Sequence, residues 1–136
     1  GRRLAHALSE RTEARAIGGK GRAVFGVGDP AGWPSAYAHM SATDEIPAGV
    51  DGHGAMEIVR FYVDSAVQGR GVGAVLMDHC RAAAKQGGAD LIWLQVWSLA
   101  PWAIGFYQRM RFAIVGKKPF YFGQRVDEDH VMALAL

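Results

Sequence analysis

Along the chain the hydrophobic positions change period several times, and each change marks an element. Between Arg2 and Ile17, Leu4, Ala5, Leu8 and Ala16 stand among Glu and Arg, a sparse stripe that predicts a surface helix. Gly18-Gly19-Lys20-Gly21 ends it, because three glycines in four residues lose too much backbone freedom to extend a helix. Ala23 to Val27 and Ser35 to Ala42 are short and β-prone, with turn residues at 28 to 32 between them, so the pair predicts a β-hairpin with Tyr37 and His39 on one face. Thr43 to Gly54 shows no period and contains Pro47, three glycines and acidic residues, which predicts the longest loop.

Beyond residue 55 the pattern sharpens. Met56 to Val63 is rich in Ile, Val, Phe and Tyr and predicts a central strand. From Gly71 to Gln86 the apolar residues Val72, Leu76, Cys80 and Ala83 fall on one helical stripe, with Asp78, Arg81 and Lys85 toward water, and Gly87-Gly88 stops the helix. Leu91 to Trp97 is apolar almost throughout, as a strand buried on both faces requires. Pro101 suits the first turn of a helix running to about Met110. Phe112 to Val115, Phe120 to Phe122 and His130 to Leu136 predict the closing strands. Strand, helix, strand, helix, strand is an α/β order with a mixed sheet.

Composition narrows the class. With 136 residues, 50% apolar and 21% charged, the chain suits one globular domain and excludes disorder or a fibrous repeat. Fifteen Lys and Arg against 13 Asp and Glu, with no basic patch, argue against nucleic acid as a partner. No apolar run has the length of a bilayer span, so no membrane association is expected. One cysteine, Cys80, excludes an internal disulfide framework, and with no apolar leader segment this favours a cytoplasmic setting. The five histidines lack metal-ligand spacing, so no metal site is expected. Trp93 and Trp97 share a strand face and read as core, as does Cys80.

The sharpest local feature is Gln68-Gly69-Arg70-Gly71-Val72-Gly73-Ala74, set between a predicted strand and a predicted helix. The first-turn N–H groups of a helix point toward such a turn, and the macrodipole adds to their attraction for an anion. The spelling fits neither a Walker loop nor a dinucleotide fingerprint, since the glycines are evenly spaced and no Lys-Ser or Lys-Thr follows. Gln-x-x-Gly-x-Gly-Ala after a strand ending in Tyr62-Val63-Asp64 instead resembles the acetyl-CoA-binding segment of the GNAT N-acetyltransferase superfamily. A second block, Trp97 to Phe112 with Ala103, Phe106 and Tyr107, is similar to that family's Ala-x-x-Phe-Tyr helix. The ending, Phe120-Tyr121-Phe122-Gly123 and Asp129-His130-Val131-Met132, resembles branches that include spermine and spermidine acetyltransferases.

The resemblance implies a mixed, mostly antiparallel central sheet flanked by helices, here without a counterpart of the family's usual first strand and helix. It implies acetyl-CoA as co-substrate and a small-molecule amine, polyamine-like or other, or a peptide N-terminus as acceptor. Gln68, Gly69, Arg70, Gly71, Val72, Gly73 and Ala74 would wrap the pyrophosphate, Phe61, Tyr62 and Val63 would offer backbone to the pantetheine arm, and Phe106 would join them. Tyr107 would protonate the departing thiolate, a role its ordinary pKa near 10 suits. Glu57 is the candidate general base, and alternation places it on the face of Val59 and Phe61, where a structural acid paired with Arg60 is the competing reading. His39, Asp44 and Glu45 lie near or in the loop that would border the acceptor site, where carboxylates would attract a cationic amine; a solvated loop is the competing reading. Two positions depart from the pattern: Ala100 stands where the family has Asn, and Arg111 where it has Gly, so Arg111 must adopt a left-handed conformation or end the helix differently. These departures keep open a non-catalytic acyl-CoA-binding or regulatory module, and an open sheet edge would favour a homodimer.

Overall fold

The computed structural model describes residues 13–15, 22–28, 34–42, 47, 49, 50 and 54–136. Its strands are β1 (Glu13–Arg15), β2 (Arg22–Gly28), β3 (Pro34–Ala42), β4 (Ala55–Val63), β5 (Leu91–Trp97), β6 (Ala113–Phe122) and β7 (Arg125–Ala135). Its helices are α1 (Val72–Gln86) and α2 (Pro101–Arg109), with one 3₁₀ turn at Ser65–Val67. The strands form one sheet in the order β1-β2-β3-β4-β5-β7-β6. Among the described strands only β4 and β5 run parallel; the other neighbours are antiparallel.

Several expectations hold. The hairpin of β2 and β3 forms, β4 is the fourth of seven strands, and α1 and α2 lie where periodicity and Pro101 put them. Three differ. The helix expected over residues 2–17 is contradicted at Glu13–Arg15, which pairs as β1 with Val24, Phe25 and Gly26 of β2; the rest of that segment lies outside the described residues. A weak helical stripe yields to backbone pairing on a sheet edge because tertiary contacts override propensity. The two short strands expected at 112–115 and 120–122 are one ten-residue strand, β6, with a register irregularity between Ile114 and Gly116. Its Pro119 is tolerated because β6 is an edge. Finally, β7 begins at Arg125, five residues before the expected His130, because a two-residue turn led by Gly123 at φ 61° lets Phe122 pair directly with Arg125.

Both helices cover one sheet face. There α1 buries Val72, Leu76, Met77, Cys80 and Ala84, rather than the partly buried Ala83, against Met40, Ile58, Ile92, Leu94 and Met132. Arg81, expected to face water, instead donates through Nη2 to the Met110 carbonyl at the end of α2 and lies 3.5 Å from Asp78. The opposite face carries a smaller cluster of Val50, Ala55, Trp93, Val131 and Ala133. Among the described residues no helix is long and apolar enough to cross a membrane.

Candidate active site

The site begins where two described strands of the sheet come apart. β4 and β5 pair only from Ala55↔Leu91 to Ile58↔Leu94, although β4 continues to Val63 and β5 to Trp97. Beyond Ile58, β4 remains paired with β3 and β5 with β7, so the two inner strands diverge with their facing backbone edges unladdered. Buried strand edges require partners, and a wedge between parallel strands presents N–H and C=O groups to an extended chain laid into it.

A bulge decides which side chains line that wedge. Opposite β3, His39 pairs with Arg60 while Met40 pairs with Ile58, which leaves Val59 as the extra residue. The insertion shifts alternation by one. Met56 and Ile58 before the bulge, and Phe61 and Val63 after it, all join the helix-covered core. Glu57 therefore lies on the face opposite Phe61, which corrects the simple alternation that put them together. Its register partners are Ser41 and Trp93, and it makes no ion pair with Arg60 among the described residues. Burial pushes the Glu57 carboxyl above its ordinary value, against the lowering influence of the Lys118 ammonium.

Where β4 ends, Asp64 caps the 3₁₀ turn by accepting from the Ala66 N–H at 3.0 Å, and Gln68 Nε2 donates to the Val63 carbonyl at 3.1 Å. The Gln68 side chain thus ties the turn to the strand. Gly69 and Gly71 both have φ 80°, a left-handed conformation that L residues adopt at a cost, and a Cβ on either would meet nothing within 4 Å. Gly71 is the N-cap of α1 with no side-chain cap bond, and the first turn carries no acidic residue. The result is an unobstructed helix N-terminus beside the end of β4, suited to an anion. Gly73 has another job: a Cβ there would come within 3.1 Å of the Phe106 ring and 3.6 Å of Val63. It permits close contact between α1, α2 and β4. Val72 is buried in the core, while Arg70 is exposed and Ala74 half-buried.

On α2 the aromatic residues assemble around Tyr107. Its ring contacts Phe61 at 6.1 Å, Phe106 at 5.4 Å and Phe112 at 5.8 Å between centroids. Phe61 also meets Phe106, at 5.6 Å. Burial in this cluster, with the Cys80 thiol adding to it, pushes the Tyr107 hydroxyl up to about 12, so it holds its proton at neutral pH. This departs from the ordinary value near 10 used in the sequence argument. Cys80 is buried, with its thiol likewise raised to about 12. Tyr62 turns to the other face, 47% exposed and against Tyr37 at 5.5 Å.

The two departures from the family pattern have structural answers. Ala100 is the N-cap of α2 and offers no side-chain bond, only its carbonyl to the Ala103 and Ile104 N–H groups. Arg111 does adopt the left-handed conformation, at φ 75°. The Arg111 N–H donates to Gln108 and the Phe112 N–H to Tyr107, both at 2.9 Å, which is the Schellman arrangement, completed by the Phe112 and Tyr107 rings. His39 is half-buried on β3 opposite Arg60, whereas Asp44 and Glu45 lie outside the described residues.

The structure also brings together residues that the sequence reading did not assign. On the Glu57 face, Trp97, Phe120, Asp127 and Asp129 line a cavity of about 210 Å³. Trp97 is 41% exposed there, which corrects its reading as core; Trp93 alone is buried. Among the described residues no group of three His, Cys, Asp or Glu is placed to hold a metal.

A sheet split between two parallel strands, with a glycine-opened helix at the split, defines a class, and comparison with known proteins agrees. Residues 2–112 match the acetyltransferase (GNAT) family, and the chain belongs to it. A 70-residue stretch is 34% identical to streptothricin acetyltransferase of Streptomyces lavendulae; it makes up 51% of this chain and 37% of that enzyme, so the chain spans little more than a third of it. Nourseothricin acetyltransferase superposes with a TM-score of 0.72 at 20% identity, over 85% of this chain and 66% of that one. A Bacillus anthracis protein described as a streptothricin acetyltransferase, determined with acetyl coenzyme A, gives 0.74 at 18% identity over 88% and 65%. The ribosomal-protein-S18-alanine N-acetyltransferase of Escherichia coli gives 0.68 at 19% identity over 98% and 86%. These likenesses share the fold. They lend no support to the spermine and spermidine branch suggested by the C-terminal residues.

Proposed function

We propose that the chain carries out acetyl-CoA-dependent N-acetylation, moving an acetyl group from the thioester to the primary amine of a small molecule. The observation that carries this reading is the unladdered wedge between β4 and β5 with the N-terminus of α1 at its mouth. Gly69 and Gly71 leave open space before the helix amides, which fits a pyrophosphate, and the free strand edges fit the amide-bearing pantetheine arm. Acetyl-CoA, when bound, supplies an activated acyl carbon and a thiolate leaving group.

The chain's own residues then divide the proton work between the two sheet faces. Glu57 takes the proton from the amine nitrogen as the new C–N bond forms, and its raised pKa brings it nearer the basicity that such a base needs. Tyr107, from the helix side, donates its hydroxyl hydrogen toward the sulfur as the C–S bond breaks. A phenol near 12 holds its proton about 3.5 units more tightly than a thiol near 8.5. It therefore acts as a hydrogen-bond donor to the negative charge developing on sulfur, and coenzyme A leaves as a thiolate held by that bond. Strand amides at the wedge polarise the carbonyl.

Turnover tests the reading: thiol release from acetyl-CoA that depends on an added primary amine, with the N-acetylated product identified by mass. Tyr107→Phe should lower kcat by about 10²-fold with little change in acetyl-CoA affinity. Thiol release that does not respond to amines, or a Tyr107→Phe variant with full kcat, contradicts the assignment.

A further inference from the structure

The cavity on the Glu57 face of the sheet is assembled by strand register. Trp97 of β5 stands opposite Asp129 of β7, and Phe120 of β6 opposite Asp127 of β7, so two rings and two carboxylates converge on one face. Asp129 keeps 9% of its surface and accepts one hydrogen bond, from Gln95 Nε2 at 2.9 Å. A carboxylate offers about four acceptor sites, and burying one without a counter-charge is costly. Yet no cation lies within ion-pair distance of Asp129 among the described residues, although Lys118 is its cross-strand neighbour. Asp127 is paired with Arg125, at 3.0 Å on Oδ1. Trp97 and Phe120 are each about half exposed into the opening, and aromatic faces attract cations.

We infer that this cavity seats a positively charged group of the acceptor that does not itself react. An ammonium held by carboxylates is kept protonated, and a protonated amine has no lone pair with which to attack a thioester. The reacting nitrogen must therefore be a second one. The acceptor class is a dibasic small molecule, one nitrogen clamped at Asp129 between Trp97 and Phe120, the other free at the wedge. The wedge opens after Leu94, three residues before Trp97, so its inner end lies about 10 Å along β5 from Trp97, which bounds the separation of the two nitrogens. This rests on the acetyl-transfer reading for the identity of the acceptor, but the cavity's preference for a cation is measurable by itself.

Calorimetric titration of the full chain with 1,8-diaminooctane and with octylamine at neutral pH tests it. The diamine should bind at least tenfold more tightly. Asp129→Asn and, separately, Phe120→Leu should erase that preference in protein whose thermal unfolding stays cooperative; Phe120 is on an exposed edge strand, so its variant reports even where Asp129→Asn disturbs the fold. Equal binding of the two amines, or a preference that survives in a folded variant of either kind, overturns the inference. A preference abolished by these changes, with no acetyl transfer to either amine, supports the cation seat and counts against the transfer reading alone.

Discussion

Arg111→Gly should make the protein more stable. In the structure Arg111 closes α2 with φ 75°, a conformation that costs an L residue about 1–2 kcal/mol. Its side chain is exposed and makes no hydrogen bond or ion pair among the described residues. Glycine removes the conformational cost and gives back about 0.4–1 kcal/mol through its freer unfolded chain. The difference leaves a net gain of about 0.5–1 kcal/mol, or about 2–4 °C in Tm for a domain of this size. The cap's bonds, from the Arg111 N–H to Gln108 and from the Phe112 N–H to Tyr107, are backbone bonds and survive the change. Thermal unfolding of the parent, Arg111→Gly and Arg111→Ala under one set of conditions provides the measurement. Alanine deletes the same side chain but keeps the left-handed strain, so it should show no gain. A glycine variant that melts at or below the alanine variant refutes the argument that strain, rather than side-chain contact, is what Arg111 contributes.

Two further outcomes follow from the site. Because Glu57 must be ionised to accept a proton, kcat should rise with pH through a carboxyl pKa above the ordinary carboxylate range; Lys118→Met removes the charge that lowers it and should move that limb to higher pH, while an unmoved limb would detach Glu57 from the rate. Gly73→Val drives a branched side chain into the Phe106 ring, already within 3.1 Å of the Cβ position, and should cost about 1–3 kcal/mol in urea unfolding; a neutral result would show that the contact of α1 with α2 is loose.

What could be read from the sequence was what depends on near neighbours. The helix from Val72, the glycine turn before it and the Pro101 start of α2 are written in spacings of a few residues, and they appear where expected. The special backbone at Arg111 was also foreseeable, because only a left-handed residue closes that helix before Phe112. The side of the sheet on which Glu57 lies was not, since the bulge at Val59 exists only in the pairing of β4 with β3. Likewise Trp97 reads as core by alternation alone. Its exposure and its meeting with Asp129 arise from the β5 and β7 register, between strands separated by α2 and β6. β1 was hidden for the same reason: three residues become a strand only because β2 is beside them.

The central claim is that α1 opens onto a phosphate site, and calorimetric titration with acetyl-CoA tests it most directly when the parent is compared with Gly71→Ala and Gly71→Glu. Both variants bear the same left-handed strain at φ 80°, and both Cβ atoms enter open space; only glutamate sets a negative charge before the helix amides. The account predicts saturable binding to the parent, retained with modest loss in the alanine variant and abolished in the glutamate variant while both remain folded. Binding that glutamate leaves intact, or a folded parent that does not bind acetyl-CoA, would contradict it.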